Sequence, residues 1–177
     1  MSTPLPKRIS GRDNPEFKRF LAVRARRIRD LVLVEGPKLL AEAATAGIEI
    51  VEVAAAPGIE LPDLPGVAVR AVSPDIVASL SETETSQGVV AIVRRPAFHE
   101  DTLFRAPALV LVAVGVQNPG NLGALLRTAE AAGATGAYLT EGCADPFAWK
   151  ALRGSMGSAF RLPHVRRIGI AEVLDRL

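Results

Sequence analysis

Apolar and polar positions along the chain alternate between helical and strand-like spacing from residue 14 to about residue 93. Asn14-Pro15-Glu16 reads as an N-cap followed by proline at the first helical position, opening a helix that extends to about Arg27. Leu31-Val32-Leu33-Val34 is a short run suited to a buried strand. Gly36-Pro37 opens a second helix over residues 38–46, which Gly47 stops. Strands are expected at residues 50–54, 67–72 and 89–93, with a short helix from Ser73-Pro74-Asp75 to Leu80. The result is an α/β module of about 80 residues, closed near Arg94-Arg95-Pro96, with a charged, turn-prone stretch as far as Pro107.

The second part opens with Leu109-Val110-Leu111-Val112-Ala113-Val114. Apolar residues without alternation predict a strand covered on both faces, as in a parallel sheet. A helix over residues 122–132, stopped by Gly133, and a strand at Ala137-Tyr138-Leu139-Thr140 complete a βαβ unit. A further helix is expected over residues 147–152, then a turn at Gly154-Ser155-Met156-Gly157 and the short run Phe160-Arg161-Leu162-Pro163. A last helix begins at Ala171.

Composition narrows the class. The apolar fraction, 49% of 177 residues, is ample for a core and is carried by Ala, Val and Leu rather than aromatics. A single cysteine, Cys143, rules out an internal disulfide framework and fits a reducing compartment. No run approaches the roughly 20 apolar residues that span a bilayer. The basic N-terminus has no apolar segment behind it, so a cytoplasmic protein is expected. The net charge of +2 conceals basic ends around an acidic middle. Residues 1–30 hold nine Lys or Arg against three acids, and residues 150–177 hold six against two. Such ends suit a polyanion, or equally a solvated helix face bearing Arg24, Arg26, Arg27 and Arg29.

Ligands of open α/β sheets bind beyond the C-terminal ends of the strands, which directs attention to the turn after Val114. There Asn118-Pro119-Gly120-Asn121-Leu122-Gly123, followed by Arg127, offers amide and guanidinium donors suited to phosphate or ribose oxygens. The same residues also describe a tight strand-to-helix turn with an asparagine cap. A dinucleotide fingerprint fits poorly, because the full G-x-G-x-x-G is missing, although Glu141 lies about 20 residues on. No Gly-Lys-Ser/Thr occurs, so a P-loop is excluded. Lys150 and Arg153 beside Gly154-Ser155-Met156-Gly157-Ser158 fit either an anionic ligand or a basic helix end. Cys143 reads as an ordinary loop thiol and Trp149 as a packing residue. His99 and His164 stand without metal-ligand spacing, and no metal is expected.

At these residues the chain resembles a known family. Residues 117–129, from Gln117 through Asn121 to Arg127 and Ala129, resemble the first motif of the SpoU/TrmH branch of the SPOUT methyltransferases. Residues 153–163, Arg153-Gly154-Ser155-Met156-Gly157-Ser158 to Pro163, are similar to its second motif. Leu33-Val34-Glu35-Gly36-Pro37-Lys38 and Ser86-Gln87-Gly88-Val89 are similar to the family's N-terminal substrate-binding domain.

The resemblance implies a ribosomal-protein-like α/β RNA-binding domain over residues 1–96. It also implies part of a SPOUT methyltransferase domain, of trefoil-knot type with a parallel sheet, over residues 107–177. The implied activity is transfer of a methyl group from S-adenosylmethionine to a ribose 2′-hydroxyl of ribosomal, ahead of transfer, RNA by a homodimer. By motif match Asn121 and Arg127 are the expected catalytic residues. Leu139, Thr140, Gly154, Ser155 and Gly157 are expected at the cofactor, and Arg24, Arg26, Arg27, Lys38 and Arg153 at RNA. One departure stands out: the family's third motif, a Gly-Asn-Glu-Gly-like turn that forms the knot, has no counterpart before Leu177. The expectation is therefore a C-terminally incomplete methyltransferase without a complete cofactor pocket, or a catalytically inactive RNA-binding module.

Overall fold

The computed structural model describes residues 13–177, which divide into two compact units, one up to Arg95 and the other Pro96–Leu177. In the first, helix α1 (Pro15–Arg24) starts as its sequence predicts: the Asn14 side-chain oxygen accepts the amide of Glu16 at 2.8 Å, and Pro15 needs no amide partner. It stops earlier than the polar pattern suggested, because Arg26 takes a left-handed backbone (φ 57°) that ends the helix.

Strands β1 (Leu31–Glu35), β2 (Ile50–Ala55), β3 (Ala68–Ala71) and β4 (Val89–Arg94) form one sheet in the order β1-β4-β2-β3. β4 is antiparallel to both β1 and β2, and β2 is parallel to β3. Its central place explains why five consecutive residues of β4, Val89 to Val93, are fully buried. Helices α2 (Pro37–Thr45) and α3 (Pro74–Leu80) complete the unit. Phe17, Phe20 and Val23 of α1 pack with Val77, Leu80, Val90 and Ile92 into its core.

The second unit is a three-stranded parallel sheet, β5 (Val110–Ala113), β6 (Gly136–Thr140) and β7 (His164–Ile168), in that order. The expectation of a doubly covered first strand is corrected here. β6, flanked by both neighbours, is buried at every residue, whereas β5 lies at an edge and only Ala113 is buried. β7 is an element that apolar pattern alone does not reveal, because Arg166 and Arg167 interrupt it and Arg167 bulges with φ 59°.

The stretch after residue 96 is no loose linker. It carries a 3-10 helix, Glu100–Phe104, whose Leu103 is fully buried in the core of this unit. Leu103 packs so tightly over Gly136 that a β-carbon there would come within 2.3 Å of its side chain. The buried Tyr138 hydroxyl donates to Glu100, which also receives Arg176 from the last helix, α7 (Ile170–Arg176).

Helices α4 (Pro119–Ala131), α5 (Trp149–Ser155) and α6 (Ser158–Arg161) form the layer that carries the motifs. α4 begins three residues before the predicted start, since Pro119 is itself its first residue. Gly154 and Ser155, expected in a turn, are helical; the turn proper is Met156 (φ 50°) and Gly157 (φ 88°), both left-handed. α4 and α5 cross at glycines. A β-carbon on Gly123 would lie 2.3 Å from the Ala151 carbonyl oxygen and 2.9 Å from the Ser155 amide nitrogen, and one on Gly154 would lie 3.0 Å from the Gly120 carbonyl oxygen.

Two outcomes are expected. Gly123→Ala drives a methyl group into the backbone of α5, which cannot yield as a side chain would. The cost is about 1–3 kcal/mol, read as a lowered denaturant midpoint. Tyr138, the chain's single tyrosine, has its hydroxyl pushed up to about 12 by burial and then by its bond to Glu100. Its folded value lies above its unfolded one, so this stabilisation is complete below the ordinary tyrosine value of about 10 and is lost as pH rises towards the folded value. Phenolate absorbance of the folded chain should rise near pH 12; a midpoint at the ordinary tyrosine value would refute the buried bond.

Candidate active site at the strand ends and the α4 turn

The chain leaves β5 through Gly115, which takes a left-handed backbone (φ 58°), and enters α4 at Asn118. The Asn118 side-chain oxygen accepts the amides of Gly120 at 2.8 Å and Asn121 at 3.2 Å. Asn118 is thus spent on capping, so the reading of a capped strand-to-helix turn holds. Asn121 and Arg127 are both exposed on α4. Six residues apart on an α-helix, they stand about 9 Å apart along the axis and about 120° apart around it. A ligand touching both must bridge that gap.

Arg127 Nη1 lies 3.2 Å from the sulfur of Met156, the exposed left-handed residue at the end of α5. Thioether sulfur is a weak acceptor, so this contact orients the guanidinium without saturating its five donors. Arg161 grips Glu130 of α4 at 2.7 and 2.9 Å, and this bidentate bond holds the Glu130 carboxyl below the usual carboxylate range. On α5 the Arg153 guanidinium lies over the Trp149 ring, 5.6 Å from its centroid, with Arg153 itself exposed.

The ends of β5 and β6 are tied together by side chains. The Gly115 amide donates to the Thr140 hydroxyl at 3.1 Å. Cys143 receives the Val116 amide and donates to the Ala113 carbonyl, both at 3.3 Å, which makes it a staple between two loops rather than a nucleophile. Beside them opens a small cleft of about 50 Å³, lined by Leu139, Thr140, Cys143, Asp145, Arg166 and Arg167 among others. Asp145 and Arg166 face each other across it at 3.2 Å. Their approach depends on strand neighbours that are remote in sequence, and no local spacing announces it.

The expected site residues divide accordingly. Leu139 and Thr140 reach the strand-end cleft. Gly154 and Ser155 do not line it: Gly154 packs against Gly120, and Ser155 is fully buried with its hydroxyl donating to Leu152 at 2.9 Å. Gly157 is buried and serves as the left-handed entry to α6. In the first unit Arg26, Arg27 and Lys38 are exposed. Arg24 is engaged within the fold, where it donates to the Ser79 carbonyl at 2.7 Å and the Ser81 carbonyl at 3.3 Å. His164 is buried against Phe98 and Phe147, with Nδ1 2.9 Å from the Leu162 carbonyl. Among the described residues no three His, Cys, Asp or Glu side chains gather as a metal site would require, and no helix is long and apolar enough to cross a membrane.

Comparison with known proteins places these features. Residues 108–177 match the SpoU rRNA Methylase family, and residues 14–91 match an MRM3-like substrate binding domain. The chain is 34% identical over 176 residues to the Bacillus subtilis 23S rRNA (guanosine(2553)-2′-O)-methyltransferase RlmP, covering 97% of this chain and 69% of that protein. It is 36% identical over 156 residues to the Danio rerio mitochondrial rRNA methyltransferase 3B, covering 82% of this chain and 35% of the relative.

Among solved structures, a crystallised RNA 2′-O ribose methyltransferase superposes with a TM-score of 0.77 at 33% identity, over 96% of this chain and 69% of that one. AviRb from Streptomyces viridochromogenes, solved with AdoMet, gives 0.76 at 30% identity, over 92% and 66%. The chain therefore spans about a third of the zebrafish relative and about two thirds of the bacterial ones. With both units matched in order, and a relative covered over most of its length, this chain belongs to the SpoU rRNA methylase family.

Proposed function

We propose that the protein acts as an S-adenosylmethionine-dependent RNA 2′-O-methyltransferase, with ribosomal ahead of transfer RNA as substrate, in the cytoplasm and as a homodimer. Residues 1–96 would bind the RNA, and the unit from residue 107 onward would carry the chemistry. The observation that carries this reading is Arg127. It stands exposed on the helix that follows the first parallel strand, oriented by Met156, inside the segment matched to the SpoU family.

The strand-end cleft suits one part of S-adenosylmethionine. The Thr140 hydroxyl and the backbone beside Leu139 offer polar contacts at the C-terminal edge of parallel strands. At about 50 Å³ the cleft is far below the roughly 300 Å³ or more of a pocket that encloses such a ligand, so these residues form one wall of the pocket. When bound, S-adenosylmethionine supplies a methyl group made electrophilic by its sulfonium. Gly154, Ser155 and Gly157 would contribute by setting the α4–α5 crossing and the Met156 turn rather than by touching the cofactor.

Arg127 is a poor general base, because a guanidinium stays protonated in proteins. Its fitting role is electrostatic: fixed donors hold the nucleotide's phosphate and stabilise the negative charge that develops on the ribose oxygen as its proton leaves. Asn121, a turn and a half nearer the start of α4, would position the ribose. Arg153, exposed over Trp149, and Arg26, Arg27 and Lys38 on the first unit would contact RNA phosphates.

Incubating the protein with unmodified 23S ribosomal RNA and labelled S-adenosylmethionine should yield label that survives alkaline hydrolysis as a 2′-O-methylated dinucleotide. Arg127→Ala should reduce that yield by about 100-fold or more, the scale of a lost transition-state donor. Its thermal midpoint should be unchanged, since the side chain is exposed. Salt-sensitive RNA binding without labelling or any stabilisation by S-adenosylmethionine would favour the RNA-binding module instead.

A further inference from the structure

Glu35, the last residue of β1, is buried, yet no Lys or Arg among the described residues pairs with it. Its carboxylate is filled by one loop, the connection between α3 and β4. Ser81 Oγ donates to Oε1, Thr83 Oγ1 donates to the same oxygen at 2.5 Å, and the Glu82 amide donates to Oε2 at 3.0 Å. The loop is also held from its other side, where Arg24 of α1 takes the Ser79 and Ser81 carbonyls. Farther along, the Gln87 side chain lies on Gly36, where a β-carbon would come within 2.4 Å of its amide oxygen.

A buried carboxylate answered only by neutral donors is an expensive way to gain stability, and an apolar residue there would avoid the desolvation. What it does achieve is a single conformation for residues 81–88, a short polar loop whose Glu84, Thr85 and Gln87 are exposed. The side chains so presented are amide, hydroxyl and carboxylate, and the Gly36 that Gln87 covers leads directly into α2, whose second residue is the exposed Lys38. Phosphate contacts call for cations, and this loop carries two acids, Glu82 and Glu84. Amide, hydroxyl and carboxylate groups instead match the donor and acceptor edges of unstacked bases, the usual target of sequence-specific RNA recognition.

We infer that Glu35 is a positioning residue, whose hydrogen bonds to Ser81, Glu82 and Thr83 preset residues 81–88 as a loop that reads unpaired RNA bases. The inference rests on the RNA-binding reading of the first unit and adds the contact class and the residue that prepares it. Fixing the loop in advance removes an ordering cost that binding would otherwise bear.

The test measures affinity of the whole chain for an unstructured mixed-sequence RNA and for a duplex RNA of equal length, across a range of salt concentrations. Glu35→Ala removes the carboxylate that accepts from the Ser81 and Thr83 hydroxyls and the Glu82 amide. The pair Thr85→Ala with Gln87→Ala shortens two exposed loop side chains and keeps the Glu35 hydrogen bonds, so the test stands even if the first variant fails to fold. Both should weaken unstructured-RNA binding by about tenfold, with the slope against log salt and the duplex affinity unchanged. Lys38→Ala should instead lower the slope by about one. If the wild-type chain binds no RNA, the RNA-binding reading falls and takes this inference with it. If the wild type binds and the loop pair binds unpaired RNA equally well, or loses salt slope instead, the inference alone is overturned.

Discussion

The second unit depends on a close approach between two helices that only glycine permits. α4 and α5 cross with Gly123 against the Ala151 carbonyl, where a methyl group has no room, and Gly154 against the Gly120 carbonyl, where one would be tight. Helices with side chains at the contact sit about 8–10 Å apart, and small residues let the backbones come nearer. The consequence reaches beyond packing. The crossing fixes where α5 ends, and hence where the left-handed Met156 turns back to meet Arg127. The glycines therefore act on the candidate site through geometry, while Asn121 and Arg127, the proposed functional groups, stand exposed on α4.

The first unit contains two buried carboxylates that are satisfied by opposite means. Glu52 on β2 is met by cations: Arg70 at 2.9 Å and Arg19 at 3.7 Å, with Arg70 reaching on to Glu16 at 2.7 Å. That network ties α1 to the sheet and resembles a structural ion cluster. Glu35 is met by hydroxyls and an amide from a loop. Cationic partners would offset its desolvation better; loop donors instead convert the cost into the conformation of an exposed segment. The contrast separates a carboxylate that holds elements together from one that shapes a surface.

Charge is distributed to match. Exposed Arg26 and Arg27 follow α1, Arg153 lies over Trp149, and Arg24, from the same basic run, is withdrawn into the fold by two carbonyls. A basic run read from sequence is thus a mixture of surface cations and helix-end tethers, and only the carbonyl positions tell them apart.

Local rules were enough for much of this protein. The N-caps at Asn14 and Asn118, the prolines that begin four helices, and the apolar runs of β1, β4 and β6 act over a few residues, so chain order alone carries them. The motif around Asn121 and Arg127 is likewise contiguous, and the family was legible from it. Tertiary structure decided what depends on neighbours distant in sequence. It placed β5 at an edge and β6 in the middle, and drew the 3-10 helix onto Gly136. It hid β7 behind a bulged arginine and moved Gly154 and Ser155 from an expected turn into a helix crossing. The reason is the same in each case: burial and close approach belong to pairs of elements, and a pattern written along one segment cannot say what will lie against it.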